Sequence, residues 1–123
     1  MKKNSNFLES FVCAFKGIVY VFKNERNFKF HILFSALVLL CSLFFKLSYI
    51  ELSIILIMIA IVLTLEIINT IIENIMDFLC KDYNVNIKII KDMASGAVLV
   101  SAFISIIVGL LIFVPKIIIM LGD

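Results

Sequence analysis

The segment LSIILIMIAIVLTLEIINTIIENIMDF, residues 52–78, decides the fold of this chain. It opens with fourteen uncharged residues and then carries acidic side chains at Glu66, Glu73 and Asp77. Residues 52–72 provide twenty-one residues with one internal charge, and a helix needs about twenty to cross a bilayer. The segment therefore predicts a transmembrane helix whose last turns are acidic.

The composition is that of a membrane protein rather than of a soluble domain. Hydrophobic residues make up 63% of the 123 residues, and the mean hydropathy is +1.19. Typical soluble chains are about 45–50% apolar, and a soluble domain of this size buries too little surface to hide more. The chain therefore predicts a single membrane domain, residues 1–123. The single histidine and the lack of a C-x-x-C pair among the three cysteines argue against a zinc site.

The expected fold class is an all-α membrane protein with an N-terminal amphipathic interfacial helix plus three transmembrane helices. The apolar residues of the N-terminal helix fall within an arc of about 140° at 100° per residue, as in helices that lie in the interface. The first span, Phe30–Phe45, is short, but residues to Tyr49 extend it. The last span is uncharged and carries Pro115 near its end, where a break costs least. The predicted elements are the interfacial helix at 7–23 and the spans at 30–49, 52–72 and 93–115.

The distribution of basic residues predicts the orientation in the membrane. Six of the eleven basic residues precede the first span, and three lie in the 73–92 connection. The 46–51 turn and the C-terminal segment hold one each. By the positive-inside rule, the N-terminus and the 73–92 connection are cytoplasmic, while the 46–51 turn and the C-terminus are outside. We therefore expect a multi-pass protein of the cell (plasma) membrane. The N-terminal basic residues are Lys2, Lys3, Lys16, Lys23, Arg26 and Lys29.

The polar residues after position 65 share one face of the predicted helix, about 100° wide. Glu66 lies about 10 Å below Glu73 at 1.5 Å per residue, and a charge at the centre of a membrane helix costs about 2.5–3.5 kcal/mol. Acids that merely end a helix in solvent would account for Asp77 and partly for Glu73. They would not account for Glu66 and Asn69 on one buried face, so the face predicts a functional site. Its members are Glu66, Asn69, Thr70, Glu73 and Asp77.

The predicted topology brings further charges to the same membrane boundary. Glu25 lies in KNERNFKFH, and Lys91 with Asp92 lies in IKDMASGAV. Mg²⁺ is bound through one or two carboxylates plus substrate phosphates, and lysine and arginine bind phosphate. A carboxylate at the lipid boundary, such as Glu66, can accept a proton from a lipid hydroxyl. These residues together predict phosphoryl transfer from a nucleotide to a membrane alcohol. The sequence has no G-x-x-x-x-G-K-[ST] and no H-R-D motif, which excludes P-loop and protein-kinase folds.

Three motifs resemble those of one family. EIINTIIENIMD, residues 66–77, resembles the E-x-x-N-[ST]-A-I-E-x-x-x-D signature of the prokaryotic diacylglycerol kinase family, which includes undecaprenol kinases. KDMASGAV, residues 91–98, resembles its second motif, and ERNF, residues 25–28, resembles its N-terminal acidic motif. The likeness covers nearly the whole chain in order. One departure is Ile71, where the family usually has alanine.

The resemblance implies a small trimeric integral-membrane kinase that uses MgATP and shares its active sites between subunits. It implies that Glu66 is the catalytic base and contacts the lipid substrate together with Ser95. It implies that Glu25 and Glu73 hold Mg²⁺. We expect no nucleic-acid partner. The residues that the resemblance implies for ATP binding are Glu25, Asn69, Glu73, Asp77, Asp82, Tyr83, Asn84, Lys91 and Asp92.

Two other functional classes fit part of this pattern. A small membrane transporter or cation channel would use the acidic face for ion binding, but it would place its carboxylates near the bilayer midplane. A structural membrane subunit would have no use for Glu66. The predicted function is therefore an ATP- and Mg²⁺-dependent lipid kinase acting at the cytoplasmic face. Its acceptor is a lipid alcohol, undecaprenol or diacylglycerol, with undecaprenol favoured by the Lys-, Ile- and Asn-rich composition.

Overall fold

The computed structural model describes residues 6–122, and over this range every regular element is an α-helix. This confirms the predicted all-α fold class, and three of the helices are long and apolar enough to cross a membrane. Lys2 and Lys3, which contribute to the predicted orientation, lie outside the described residues. The elements are α1 (Phe7–Asn24), α2 (Arg26–Phe44), α3 (Tyr49–Leu79) and α4 (Val85–Gly122).

Helix α1 matches the predicted amphipathic helix and remains on the surface. The side chain of Asn6 caps it by accepting a hydrogen bond of 2.7 Å from the N–H of Glu9, a favoured N-cap arrangement. Its phenylalanine face is exposed at Phe7, Phe11 and Phe15, as expected for a helix that lies on lipid.

A sharp corner at Glu25 joins α1 to α2. This residue has extended backbone angles of φ −110° and ψ 113°, and it ends α1 and begins α2. Its carbonyl oxygen accepts the N–H of Lys29 at 3.2 Å. The corner therefore fixes Glu25 at the end of the bundle where α2 begins.

Helix α2 differs from the predicted 30–49 span at both ends. It begins at Arg26 and ends at Phe44 rather than continuing to Tyr49. Lys46 has a positive φ of 53°, which takes the backbone out of the helical region. Ser48 then starts α3 through a capping box, in which its side chain and that of Glu51 each accept the other residue's backbone N–H. Tyr49 belongs to α3 for this reason.

Helices α3 and α4 are longer than the spans predicted inside them. Their 31 and 38 residues correspond to about 46 and 57 Å at 1.5 Å per residue, well beyond the ~30 Å hydrocarbon core. Helix α4 also continues through Pro115 to Gly122, although the sequence suggested a break there. Proline removes only one backbone donor, and in lipid a helix is the conformation that satisfies the remaining backbone groups.

Helix α3 is the centre of the packing. It contacts α1, α2 and α4, whereas the backbones of α2 and α4 do not approach each other within the described residues. The buried positions of α3 all fall on one face, apolar in its first half and polar from Glu66 onward. Many large apolar side chains on the other helix faces are exposed, as expected where lipid is the solvent. The buried residues of α3 are Ile55, Val62, Glu66, Asn69 and Thr70.

An ion pair between α3 and α4 lies at the end of the bundle opposite to Asp77. Lys116 Nζ lies 3.1 Å from Glu51 Oε1, which joins the first turn of α3 to the last part of α4. The turn at 45–48 and the C-terminal part of α4 therefore lie at the same end. This arrangement agrees with three antiparallel spans, because three spans place these two regions on one side of the membrane.

Candidate active site

Glu66 is the buried centre of the acidic face. Its relative exposure is 4%, although it lies within the apolar helix α3. Burying a carboxylate is costly unless it is paired or hydrogen-bonded. A group on a neighbouring helix must therefore face it.

The imidazole of His31, on the second turn of α2, is that group. Its Nε2 lies 3.4 Å from Glu66 Oε1, and 24% of its side chain is exposed. The ring of Phe30 lies edge-on to the imidazole, at 6.3 Å between centroids and 80° between planes.

Sequence reasoning missed His31, because the histidine was considered only as a zinc ligand. The signal was present, since His31 is the one basic side chain within residues 30–45. A buried carboxylate is costly without a paired or hydrogen-bonded group, and a basic side chain in a neighbouring span can be that group.

The next turn of α3 continues the polar face above Glu66. Thr70 is 2% exposed, and its hydroxyl donates to the carbonyl oxygen of Glu66 at 3.0 Å. The amide of Asn69 donates to Glu73 Oε1 at 3.2 Å. Asn69 is itself buried, and its Oδ1 has no hydrogen-bond partner among the described residues. This face therefore keeps one buried acceptor for a group outside the described chain.

Two further carboxylates lie within electrostatic range of Glu66. Glu66 interacts electrostatically with Glu73, from the same helix, and with Glu25, from the corner between α1 and α2. Glu25 and Glu73 are half-buried. Each of the two predicted Mg²⁺ ligands therefore lies close enough to the predicted base to interact with its charge.

Two residues of the predicted nucleotide site, Asp77 and Lys91, join the end of α3 to the start of α4. Lys91 forms an ion pair with Asp77, so these two predicted residues are in direct contact. Asp92 pairs with Lys88 instead of Lys91, at 2.7 Å along one helix face. Lys91 and Asp77 are therefore the charged groups that link the two helices here.

The loop residues predicted to bind ATP are all exposed. Tyr83 is 81% exposed, and Asp82 is exposed with its carbonyl oxygen near Cys80 Sγ at 3.3 Å. The side-chain oxygen of Asn84 accepts the N–H of Asn86 at 2.8 Å, which caps the start of α4. Ser95 is exposed on α4. Roles in ATP or lipid binding for these residues remain predictions.

The carboxylates fit Mg²⁺ held jointly with phosphate rather than in a cage of protein ligands. Residues 6–122 contain no group of three or more acidic, histidine or cysteine side chains arranged to hold a metal ion. Mg²⁺ does not require one, because it is commonly bound through one or two carboxylates, substrate phosphates and water. Glu25 and Glu73 are carboxylates of this kind, and their role as Mg²⁺ ligands stays a prediction.

An apolar groove runs between α2 and α4 over α3, and its lining includes His31 and Val62, one turn before Glu66. Its volume is about 400 Å³, within the range of ligand pockets. His31 lines the groove and also contacts Glu66. His31 is therefore shared by the groove and by the contact with Glu66, which does not itself line the groove. Other lining residues are Phe34 and Val38 from α2, Ile55 from α3, and Ile106 and Phe113 from α4.

Comparisons with known proteins identify the family of the chain. Residues 12–113 match the family model described as prokaryotic diacylglycerol kinase. The chain is 44% identical over 112 residues to the undecaprenol kinase of Bacillus subtilis (strain 168), covering 91% of each chain. It is 33% identical over 111 residues to the diacylglycerol kinase of Synechocystis sp. (strain ATCC 27184 / PCC 6803 / Kazusa), covering 89% of this chain and 63% of that relative.

Proposed function

The chain belongs to the prokaryotic diacylglycerol kinase family, and we propose that it transfers the γ-phosphoryl group of MgATP to a membrane lipid alcohol at the cytoplasmic face. Membership makes it a membrane lipid kinase, which is a phosphotransferase with an alcohol acceptor. The observation that carries the finer proposal is Glu66, a carboxylate 4% exposed within an apolar helix. Its neighbour His31 also lines an apolar groove.

Glu66 acts as the general base in this proposal. Its carboxylate accepts the hydroxyl proton of the lipid as the lipid oxygen bonds to the γ-phosphorus. The bond between that phosphorus and the bridging oxygen of ADP breaks in the same displacement, and ADP leaves. A positioned general base contributes about 10²–10⁴-fold to such a rate. Glu66 suits this role because it is buried and because its neighbour His31 lines the apolar groove that would hold the lipid chain.

Glu25 and Glu73 would hold the metal ion that accompanies ATP. When bound, Mg²⁺ neutralises charge on the phosphate oxygens, and phosphoryl transfer depends mainly on such neutralisation and on positioning. The hydrogen bond from Asn69 to Glu73 fixes one of these carboxylates. Lys91 would exchange its contact with Asp77 for the phosphates, which places the nucleotide nearer to the membrane surface than Glu66.

The acceptor we propose is undecaprenol, with diacylglycerol as the second candidate. The relative at 44% identity is named undecaprenol kinase, and the relative at 33% is named diacylglycerol kinase. Both lipids present a primary hydroxyl to the interface, and an apolar groove accepts either chain.

The experiment that tests the proposal compares both lipids in one assay. Purified protein in detergent is given ATP labelled at the γ-phosphate, with and without Mg²⁺, and either undecaprenol or diacylglycerol. We expect labelled lipid only with Mg²⁺, and a higher kcat/KM for undecaprenol. Equal rates without Mg²⁺ would contradict the metal requirement, and a preference for diacylglycerol would contradict the acceptor.

A homotrimer with active sites shared between subunits is also proposed. The buried Oδ1 of Asn69 has no hydrogen-bond partner within residues 6–122, and a buried polar group without a partner is costly. A neighbouring subunit or bound nucleotide would supply that partner. Size-exclusion chromatography with light scattering on the detergent complex gives the subunit number, with three expected.

A further inference from the structure

His31 has two contacts that together distinguish it from the other residues of α2. Its Nε2 faces Glu66 Oε1 at 3.4 Å, and its side chain lines the apolar groove. The edge-on ring of Phe30 supports the imidazole from the preceding position. The imidazole therefore lies between the apolar groove and the carboxylate of Glu66.

The other groups near Glu66 do not hold its side chain. Glu25 and Glu73 carry the same charge as Glu66. The amide of Asn69 donates to Glu73, and the hydroxyl of Thr70 donates to the backbone of Glu66 rather than to its carboxylate. Among the described side chains, His31 is the one basic group in contact with Glu66.

We propose that His31 is the positioning residue of the general base. In the Nε2-protonated tautomer or as imidazolium, its Nε2 donates to Glu66 Oε1. That contact holds the carboxylate so that Oε2 faces the acceptor hydroxyl at the end of the groove. The distance of 3.4 Å is at the long limit for a hydrogen bond, and catalytic contacts commonly tighten once substrate is bound. This inference rests on the proposed role of Glu66.

Loss of the His31–Glu66 contact should lower kcat and leave nucleotide binding nearly unchanged. A misplacement of about 1 Å at a reacting group can cost about 10²-fold in rate. The nucleotide is proposed to bind around Glu73 and Lys91, whereas the contact of the imidazole is to Glu66. His31→Phe should therefore lower kcat by about 10- to 100-fold while the KM for MgATP stays within about threefold.

The test is a double-mutant cycle with a conservative rescue. Lipid kinase rates are measured for the parent, His31→Phe, His31→Gln, Glu66→Gln and the double variant His31→Phe/Glu66→Gln. Glutamine keeps an N–H donor near the position of Nε2, so His31→Gln should recover to within about threefold of the parent. His31→Phe should cause no further loss in the Glu66→Gln background. Ser42→Ala, which removes a buried hydroxyl on the same helix, is the matched control and should keep the parent rate.

The outcomes separate this inference from the proposed function. If Glu66→Gln is slow but His31→Phe keeps at least half the parent kcat, the role of His31 is wrong and that of Glu66 stands. Losses that multiply in the double variant would also overturn the inference, because His31 would then act independently of Glu66. If Glu66→Gln itself keeps the parent rate, both assignments fall. If His31→Phe does not purify as the parent oligomer, His31→Leu carries the same test, because it also removes both ring nitrogens.

Discussion

The contact of Lys91 with Asp77 is compatible with two roles for Lys91, a structural ion pair and a phosphate ligand. Replacing Lys91 with methionine distinguishes between these roles. As a structural ion pair, the contact joins the end of α3 to the start of α4, but the side chains are 34% and 64% exposed. Such surface pairs contribute about 0.2–1 kcal/mol. As a phosphate ligand, the same lysine would contribute about 1.5–3 kcal/mol, the value of a hydrogen bond to a charged group. That range corresponds to about 10- to 150-fold in affinity.

The assay measures nucleotide affinity and stability on the same preparations. For Lys91→Met we expect the KM for MgATP to rise at least about tenfold, while thermal unfolding in detergent shifts only slightly. Lys88→Met is the matched control, because it removes a lysine one turn away and breaks the Lys88–Asp92 pair, which is also exposed. The control should stay within about twofold of the parent. A Lys91→Met enzyme with unchanged KM would refute the phosphate role and leave a purely structural ion pair.

Two further predictions follow from the metal site and the topology. Glu25→Gln and Glu73→Gln should each raise the Mg²⁺ concentration for half-maximal rate about tenfold or more, equivalent to about 1.4 kcal/mol. The reason is that each substitution removes an anionic oxygen from a hard-cation site. Unchanged Mg²⁺ titrations of both variants would show that neither residue is a Mg²⁺ ligand. A single cysteine introduced next to Lys116 in a cysteine-free background should react with an impermeant thiol reagent from outside intact cells, and labelling only after the membrane is opened would reverse the orientation.

The helices and the polar face of α3 were predictable because they depend on local sequence. Apolar runs bounded by charges fix the number of membrane helices, and a repeat of 100° per residue places Glu66, Asn69 and Glu73 on one face. The structure confirms that shared face, with Glu66 and Asn69 buried and Asn69 bonded to Glu73. Glu73 is half-buried, as expected for the residue nearer to the membrane surface.

Contacts between helices and the details of the turns were not predictable in the same way. The pairing of His31 with Glu66 depends on how α2 packs against α3, which a single sequence pattern does not contain. The end of α2 depends on the positive φ of Lys46, an uncommon conformation for a residue with a side chain. The cap that the Asn84 side chain forms at the start of α4 was not predicted either, although asparagine commonly takes this local role. The assignment of Asn84 to nucleotide binding stays a prediction.

The most direct test of the central claim is the rate of lipid phosphorylation by Glu66→Gln at saturating MgATP. Glutamine keeps the shape of the side chain and removes its ability to accept the hydroxyl proton. We predict a fall of about 10²–10⁴-fold in kcat, with MgATP affinity and assembly retained because an amide costs less to bury than a carboxylate. Glu51→Gln, the same substitution at the opposite end of α3, should remain active. A Glu66→Gln enzyme that phosphorylates its lipid within threefold of the parent rate would contradict the claim that Glu66 is the general base.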